Sequence, residues 1–258
     1  MLSPLTPPEF EVIFASSEQE LRAAQSLRYQ VFVQEMGADG VMVDHELGLE
    51  RDQYDAFSRH LLLMDRARGK QLSEQLVGVY RLLDQQGATQ AGQFYSEAEF
   101  DLSSLISSGK SILELGRSCL HPNYRGGTAM YHLWSALAAY IAQERIDVLF
   151  GSASFSGVDE SALAAPLALL MQEHLAPKEI RPSARIPNIG LEQLSDVQFD
   201  RRTAMTQIPA LIKAYLRLGG CVGQGAYLDQ AFNTTDVCLV LNLNDMSDKQ
   251  RKIYSRKI

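Results

Sequence analysis

The sequence predicts a mixed α/β fold. Apolar runs of strand length recur along the chain, at residues 11–15, 60–65, 76–83, 112–120, 147–155, 224–231 and 236–242. Segments with helical spacing of apolar residues stand between them. No internal repeat, coiled coil or low-complexity stretch interrupts this alternation, and strands flanking interspersed helices are the signature of a mixed layer architecture. With 258 residues and 46% hydrophobic content, the chain can bury a full core.

The elements follow in order. Residues 1–9 are Pro-rich and read as a loose lead-in, and 11–15 as a first strand. Residues 18–33 place Leu21, Ala24, Leu27, Val31 and Phe32 on one helical side. The acidic, glycine-containing stretch 37–52 reads as a loop. The runs at 60–65 and 76–83, separated by a polar turn, predict a hairpin. Residues 87–100 are polar, and 103–109 suggest a loop with one helical turn. A buried strand at 112–120, a helix at 128–144 and a strand at 147–155 come next. Residues 162–174 read as helical, whereas 176–191, with Pro177, Pro182 and Pro187, cannot form a long helix. A helix at 209–218 is stopped by Gly219-Gly220, and two strands close the sequence. The expected organisation is one domain over 10–245, with a helical insertion at about 158–208 and a basic tail at 246–258.

The N-terminus shows no basic stretch followed by an apolar run, so no signal peptide is expected. The longest weakly polar stretches, 133–142 and 162–171, are too short to span a bilayer. Cys119, Cys221 and Cys238 are odd in number and far apart, which fits buried free thiols in a reducing compartment. The five histidines form no H-x-x-x-H pattern, and no metal site is expected. The charge is uneven. Residues 248–258 carry +4, which against −7 for the whole chain leaves −11 for the rest. A basic tail on an acidic body suits an anionic membrane face or an acidic carrier protein; no nucleic-acid partner is expected. The expected location is cytoplasmic, with peripheral contact at the inner membrane.

The most informative segment is Leu113-Glu114-Leu115-Gly116-Arg117-Ser118-Cys119-Leu120-His121-Pro122-Asn123-Tyr124-Arg125-Gly126-Gly127. It reads as a buried strand, a short turn and a glycine-rich start to a long helix. Backbone N–H groups at such a helix start form an anion site. Glu114 and Arg117 stand three apart on the strand before it. A cradled anion beside a carboxylate base is what an acyl-transfer enzyme needs to hold a phosphopantetheine thioester. No G-x-S-x-G elbow is present, which excludes a serine-hydrolase reading of this stretch.

This segment resembles the central motif of the GNAT acyltransferase superfamily, and more narrowly the branch of ornithine lipid synthases, which are L-ornithine N-acyltransferases dependent on acyl carrier protein. The resemblance implies a GNAT-like, mostly antiparallel sheet flanked by helices. It also implies transfer of a 3-hydroxyacyl chain to the α-amino group of L-ornithine, the first step of ornithine lipid biosynthesis. The donor loop of the superfamily corresponds to Arg125-Gly126-Gly127-Thr128-Ala129-Met130 here. Thr128 and Met130 replace the expected small residues, which leaves less room for the pyrophosphate of coenzyme A than for the single phosphodiester of a carrier protein. Arg125, Gly126, Gly127 and Thr128 are thus the donor-binding residues implied, with the Ser118–Leu120 backbone donating to the thioester carbonyl. The small residues Gly151, Ser152, Ala153 and Ser154 would admit the pantetheine arm. No permanently bound cofactor is expected; the acyl-phosphopantetheine thioester, of carrier protein or coenzyme A, is a substrate.

The chain also resembles acyl-homoserine-lactone synthases. By that resemblance the substrate-binding residues are Arg28, Phe32, Asp52, Asp55, Arg81 and Arg117, with Glu114 in its Glu-x-x-Arg. The tryptophan which that family carries after the phenylalanine is missing, Met36-Gly37 standing in its region. An α-amino group must lose a proton before attack, so Glu114 is the expected general base, directly or through water. Asp52 and Asp55 would hold the δ-amino end of ornithine, and Arg28 its carboxylate. Tyr215, on a helix similar to the late GNAT helix, is the expected general acid for the leaving thiolate. Phe232-Asn233-Thr234-Thr235-Asp236-Val237 resembles a motif of the ornithine acyltransferases without a legible chemistry, and Trp134 reads as core. Transfer to another amino acid or amine, homoserine-lactone synthesis, and a non-catalytic carrier-binding module remain alternatives.

Overall fold

The computed structural model describes residues 7–230 and 232–254. In chain order its first elements are β1 (Phe10–Phe14), α1 (Glu18–Arg28), a π-helical continuation (Tyr29–Glu35), β2 (Arg59–Asp65), α2 (Leu72–Gln75), β3 (Leu76–Asp84) and α3 (Gln85–Ala91). Next come β4 (Phe100–Asp101), α4 (Ser103–Ile106), β5 (Ile112–Leu120), α5 (Ala129–Glu144), β6 (Val148–Ser156) and α6 (Glu160–Glu173). The chain closes with β7 (Ser183–Ala184), β8 (Asn188–Ile189), α7 (Leu191–Ser195), α8 (Arg201–Gln207), α9 (Ala210–Arg217), β9 (Cys221–Val222), β10 (Ala226–Asp229), β11 (Thr234–Asn242) and α10 (Asp248–Tyr254). These divide into two units, one holding residues up to 83 with 116–143, the other 84–115 with 144–255.

In the first unit β1, β2, β3 and the C-terminal half of β5 are neighbours in that order, β1–β2 and β2–β3 being antiparallel. Helix α1 starts where the sequence signals it, with Ser17 and Glu20 forming a reciprocal capping box. Its apolar side, Ala24 and Leu27 with Val31 beyond, packs on Leu62, Met64, Leu76, Val79 and Cys119. Gly78 allows close packing: a Cβ there would stand 2.7 Å from Leu120 Cδ2 and 3.1 Å from Leu133 Cδ1 of α5. The helix expected over 18–33 holds its α form only to Arg28 and continues as a π-helix.

In the second unit the N-terminal half of β5 is followed by β6, β11, β10 and β8, with β9 alongside β11. β5 and β6 are parallel over Ile112–Glu114 and Val148–Phe150, while β6–β11, β10–β11, β8–β10 and β9–β11 are antiparallel. Beyond Phe150 the strands meet at Gly151, where an added Cβ would stand 2.2 Å from the carbonyl oxygen of Leu115. Only glycine permits that approach. The stretch 158–208 contains α6, α7 and α8, together with β8 on the edge of β10 and β7 paired with β4.

Three local expectations change. Residues 87–100 are not merely polar coil: Asp84 caps α3 and Gly92, at φ +95°, ends it. The strand β9, too short to signal itself, was not expected. Cys119 and Cys238 are buried free thiols, but Cys221 is half-buried. The lead-in over 1–6 and the tail end 255–258 lie outside the described residues; the tail between them begins as α10, anchored by Arg251 donating to the carbonyls of Met246 and Leu243. Among the described residues no helix is long and apolar enough to cross a membrane.

Candidate active site

In the first unit, α1, the loop after it, β3 and β5 bring six charged side chains together. Arg28, fully buried, donates from Nε to Glu50 and from Nη1 to Asp55 at 2.7 Å. Arg81 donates from Nη1 to Asp52 at 2.6 Å and to Asp55 at 3.0 Å. Arg117 donates to Glu50 and to Asp52, both at 3.0 Å. Gln25 adds a hydrogen bond from Nε2 to Asp55 Oδ2, at 2.9 Å. Three guanidinium groups thus alternate with three carboxylates.

Burial raises the carboxyl pKa values of Asp52 and Asp55, but the arginines outweigh it and hold both below the usual range. Burial lowers the imidazole pKa of His60, with Arg28 and Arg81 adding to the effect and the neighbouring Asp55 opposing it. Arg117 reaches the cluster from a φ of +50° in the middle of β5, a left-handed conformation that costs a non-glycine residue energy and concentrates at functional sites.

These contacts change what the sequence suggested for three residues. Asp52 and Asp55 already have arginine partners, so neither carboxylate stands open to an ammonium. Arg28 has two of its three nitrogens committed and no solvent exposure; its Nη2 alone lacks a partner, so it cannot meet a substrate carboxylate with two arms. Phe32 packs half-buried against the core beneath α1. Glu50 was missed because one acid in an acidic loop carries no spacing signal.

The turn after β5 follows the sequence reading. Pro122–Tyr124 form one helical turn, Gly126 takes φ +76°, and the 16-residue α5 begins at Ala129. The N–H groups of its first turn have no partner one turn earlier in the helix and lie at the positive end of the helix dipole. No neighbour lies within 4 Å of a Cβ built on Gly126, so the cradle has room above it. Arg125 donates to both carboxylate oxygens of Glu35 and, from Nε, to the Leu120 carbonyl at 3.2 Å. Glu35 carries no motif or spacing signal that would mark it. Ser118 Oγ is buried without a hydrogen-bond partner.

In the second unit Glu114 is buried at 3% exposure. Its Oε2 accepts from the Tyr95 N–H at 2.8 Å, its Oε1 from the Ser96 N–H at 2.7 Å and from the Ser96 hydroxyl. Ser152 on β6 donates to Glu99 Oε2 at 2.6 Å, and its Oγ stands 3.3 Å from the Ser96 Oγ. Two serine hydroxyls therefore stand in line between Glu114 and Glu99, each turned to its own carboxylate. Glu99 stands with Asp229 and Asp236, one carboxylate oxygen of each lying within 4.8 Å of the others. Burial, followed by the charge of Asp236, pushes Glu99 up to about 8; burial pushes Asp236 up to about 6 against the pull of Ser154 and Thr234. Positions 99, 229 and 236 are too far apart in sequence for spacing to reveal the group. Tyr215 is buried on α9, whose end is closed by the Gly220 N–H donating to the Tyr215 carbonyl.

A family profile described as an acetyltransferase (GNAT) domain matches residues 27–135, which include the arginine–carboxylate cluster, Glu114 and the glycine turn. An L-ornithine N(alpha)-acyltransferase of Rhodobacter capsulatus is 48% identical over 98% of this chain and 97% of its own length. One from Agrobacterium fabrum is 39% identical over 95% of this chain and 84% of its own. The chain belongs to the L-ornithine N(alpha)-acyltransferase family, within the GNAT acyltransferases. A solved CoA-dependent acyl-homoserine lactone synthase, with SAM and isopentyl-CoA, shares the fold at a TM-score of 0.54 and 13% identity, covering 95% of this chain and 88% of that one. Membership of this family accords with the mostly antiparallel α/β architecture expected from the sequence.

Proposed function

We propose that this chain transfers a 3-hydroxyacyl group from the phosphopantetheine thioester of acyl carrier protein to the α-amino group of L-ornithine. The observation that carries the proposal is the 48% identity, over nearly the whole of both chains, to a protein named for ornithine acylation. The chemistry is a direct aminolysis. The neutral α-amine attacks the thioester carbonyl, a C–N bond forms, the C–S bond breaks, and the amine proton leaves to a base. Glu114 is that base, reached directly or through water or the Ser96 hydroxyl that rests on it. The carbonyl oxygen, negative in the transition state, takes hydrogen bonds from the Ser118–Leu120 backbone; loss of one such donor costs about 10²–10³ in rate. Tyr215 returns a proton to the leaving thiolate.

The donor's phosphate sits on the turn from Arg125 to Thr128. Thr128 and Met130 narrow the approach, which favours a carrier protein's single phosphodiester over a pyrophosphate. The catalytic unit we propose spans 10–245, and the basic tail 246–258 meets an anionic membrane at its cytoplasmic face, where the long acyl product partitions with about 0.8 kcal/mol for each CH₂ buried.

The test is direct. Purified protein receives L-ornithine with either 3-hydroxyacyl carrier protein or the matching acyl-CoA, and mass spectrometry reads the products. Nα-acylornithine from the carrier-protein donor alone supports the whole reading. Product from coenzyme A alone overturns the donor, acylation of a different amine overturns ornithine, and no product overturns catalysis.

A further inference from the structure

The arginine–carboxylate cluster raises a question about ornithine's second amine. Asp52 and Asp55, the acids expected to hold it, are each neutralised by two arginines. The Glu99–Asp229–Asp236 group differs. No ion pair among the described residues reaches Glu99 or Asp236, although both are buried, at 6% and 4% exposure. Asp236 Oδ1 has no hydrogen-bond partner at all. A buried carboxylate oxygen without a donor is costly and points to a group that arrives with one. Asp229 is half-buried and forms the group's outer edge.

We infer that Glu99, Asp229 and Asp236 form the subsite for the δ-ammonium of the amino-acid acceptor and so select a diamino acid over its uncharged analogue. The inference rests on the ornithine reading above. A primary ammonium carries three N–H donors and no acceptor, which matches three convergent carboxylates. The group also lies beside the right strand. Ser152 of β6 donates to Glu99, and Asp236 pairs in register with Ser154, so the subsite borders the run of small residues assigned to the thioester arm. An amino acid anchored there by its far end can present its α-amine towards that run. Asp236 also accounts for the Phe232–Val237 motif: Asn233 turns the chain at φ +51°, and the strand that follows delivers Asp236 to the subsite. The raised carboxyl pKa values of Glu99 and Asp236 are those of acids awaiting a counter-cation.

The experiment compares L-ornithine with L-norvaline, the same chain lacking the δ-amine, in the protein and in Glu99→Gln and Asp236→Asn. The expected preference of the parent, by kcat/KM, is at least about 100-fold for ornithine, because a buried polar subsite rejects a ligand that leaves it unpaired. Each variant should lose most of that preference through a raised KM for ornithine, while still acylating norvaline. Norvaline turnover certifies that the variant is folded and the chemistry intact. A wild-type measurement stands beside it: calorimetric titration with ornithine in two buffers of different ionisation enthalpy should show protons released on binding, and norvaline should release none.

If the parent acylates ornithine while the variants keep the preference, or if ornithine binds without proton release, the subsite is wrong and the function stands. If the parent acylates another amine and not ornithine, both fall. If a chelator abolishes the ornithine preference and calcium or magnesium restores it, the three carboxylates bind a metal ion and the ammonium subsite is overturned.

Discussion

Asp55→Asn puts the arginine–carboxylate cluster to a quantitative test. Asp55 is 5% exposed; its Oδ1 accepts from Arg28 at 2.7 Å and Arg81 at 3.0 Å, and its Oδ2 from Gln25 at 2.9 Å. An asparagine keeps one acceptor oxygen. Whichever way the amide turns, its NH₂ opposes either the two guanidinium groups or the Gln25 amide. One charge-assisted contact or its equivalent is lost, about 1.5–3 kcal/mol, and an excess positive charge is left buried. Breaking a buried pair by removing one partner costs about 3–5 kcal/mol in total. For a protein of this size that lowers Tm by roughly 6–20 °C. Thermal unfolding at pH 7 by circular dichroism, checked by urea titration, reads the change. A shift under 2 °C would refute the reasoning, because it would mean that water already solvates the cluster and that the arginines do not depend on Asp55.

Four further outcomes are expected. Acid should loosen the fold in a defined window. Asp52 and Asp55 have depressed carboxyl pKa values, so their contribution is complete above the unfolded value of about 4 and is lost as pH falls below it towards the folded values; urea midpoints at pH 7, 4 and 3 should show the decline, and a flat profile would sink it. Glu99 works in the opposite sense: with its pKa pushed up to about 8, the folded state is penalised as pH rises from about 4 to 8, so Glu99→Gln should gain stability over the parent from pH 5 to pH 9, and a constant difference would contradict this. Glu114→Gln should lower kcat by about 10²–10⁴ while the donor's KM holds, whereas Arg125→Ala should raise the donor's KM with kcat nearly preserved; an unchanged Glu114→Gln rate across pH would remove Glu114 from the chemistry.

The sequence was most legible where the physics is local. Strand β5 fell within its expected limits, because nine residues of buried apolar pattern between turns admit little else. Ser17 and Glu20 marked the start of α1, Gly219-Gly220 marked the end of α9, and Gly126-Gly127 marked the start of α5. The glycine turn, Glu114 and Arg117 could be singled out for the same reason: a short contiguous segment carries them. Residues such as Arg28, Asp52 and Asp55 could be picked out, but not what each touches.

Tertiary structure decided the pairings. Whether Asp52 and Asp55 are open to a ligand or bound to arginines depends on Arg28, Arg81 and Arg117, which arrive from three separate elements. Glu50 becomes distinctive only when it falls between Arg28 and Arg117. Glu99, Asp229 and Asp236 become a group only when β10 and β11 fold beside β6. Hydrophobic periodicity and turn chemistry are written along the chain, and a single sequence suffices to read them. Desolvation and charge–charge coupling depend on distances across space, so which acids pair with arginines and which lie buried beside other acids was decided by the fold.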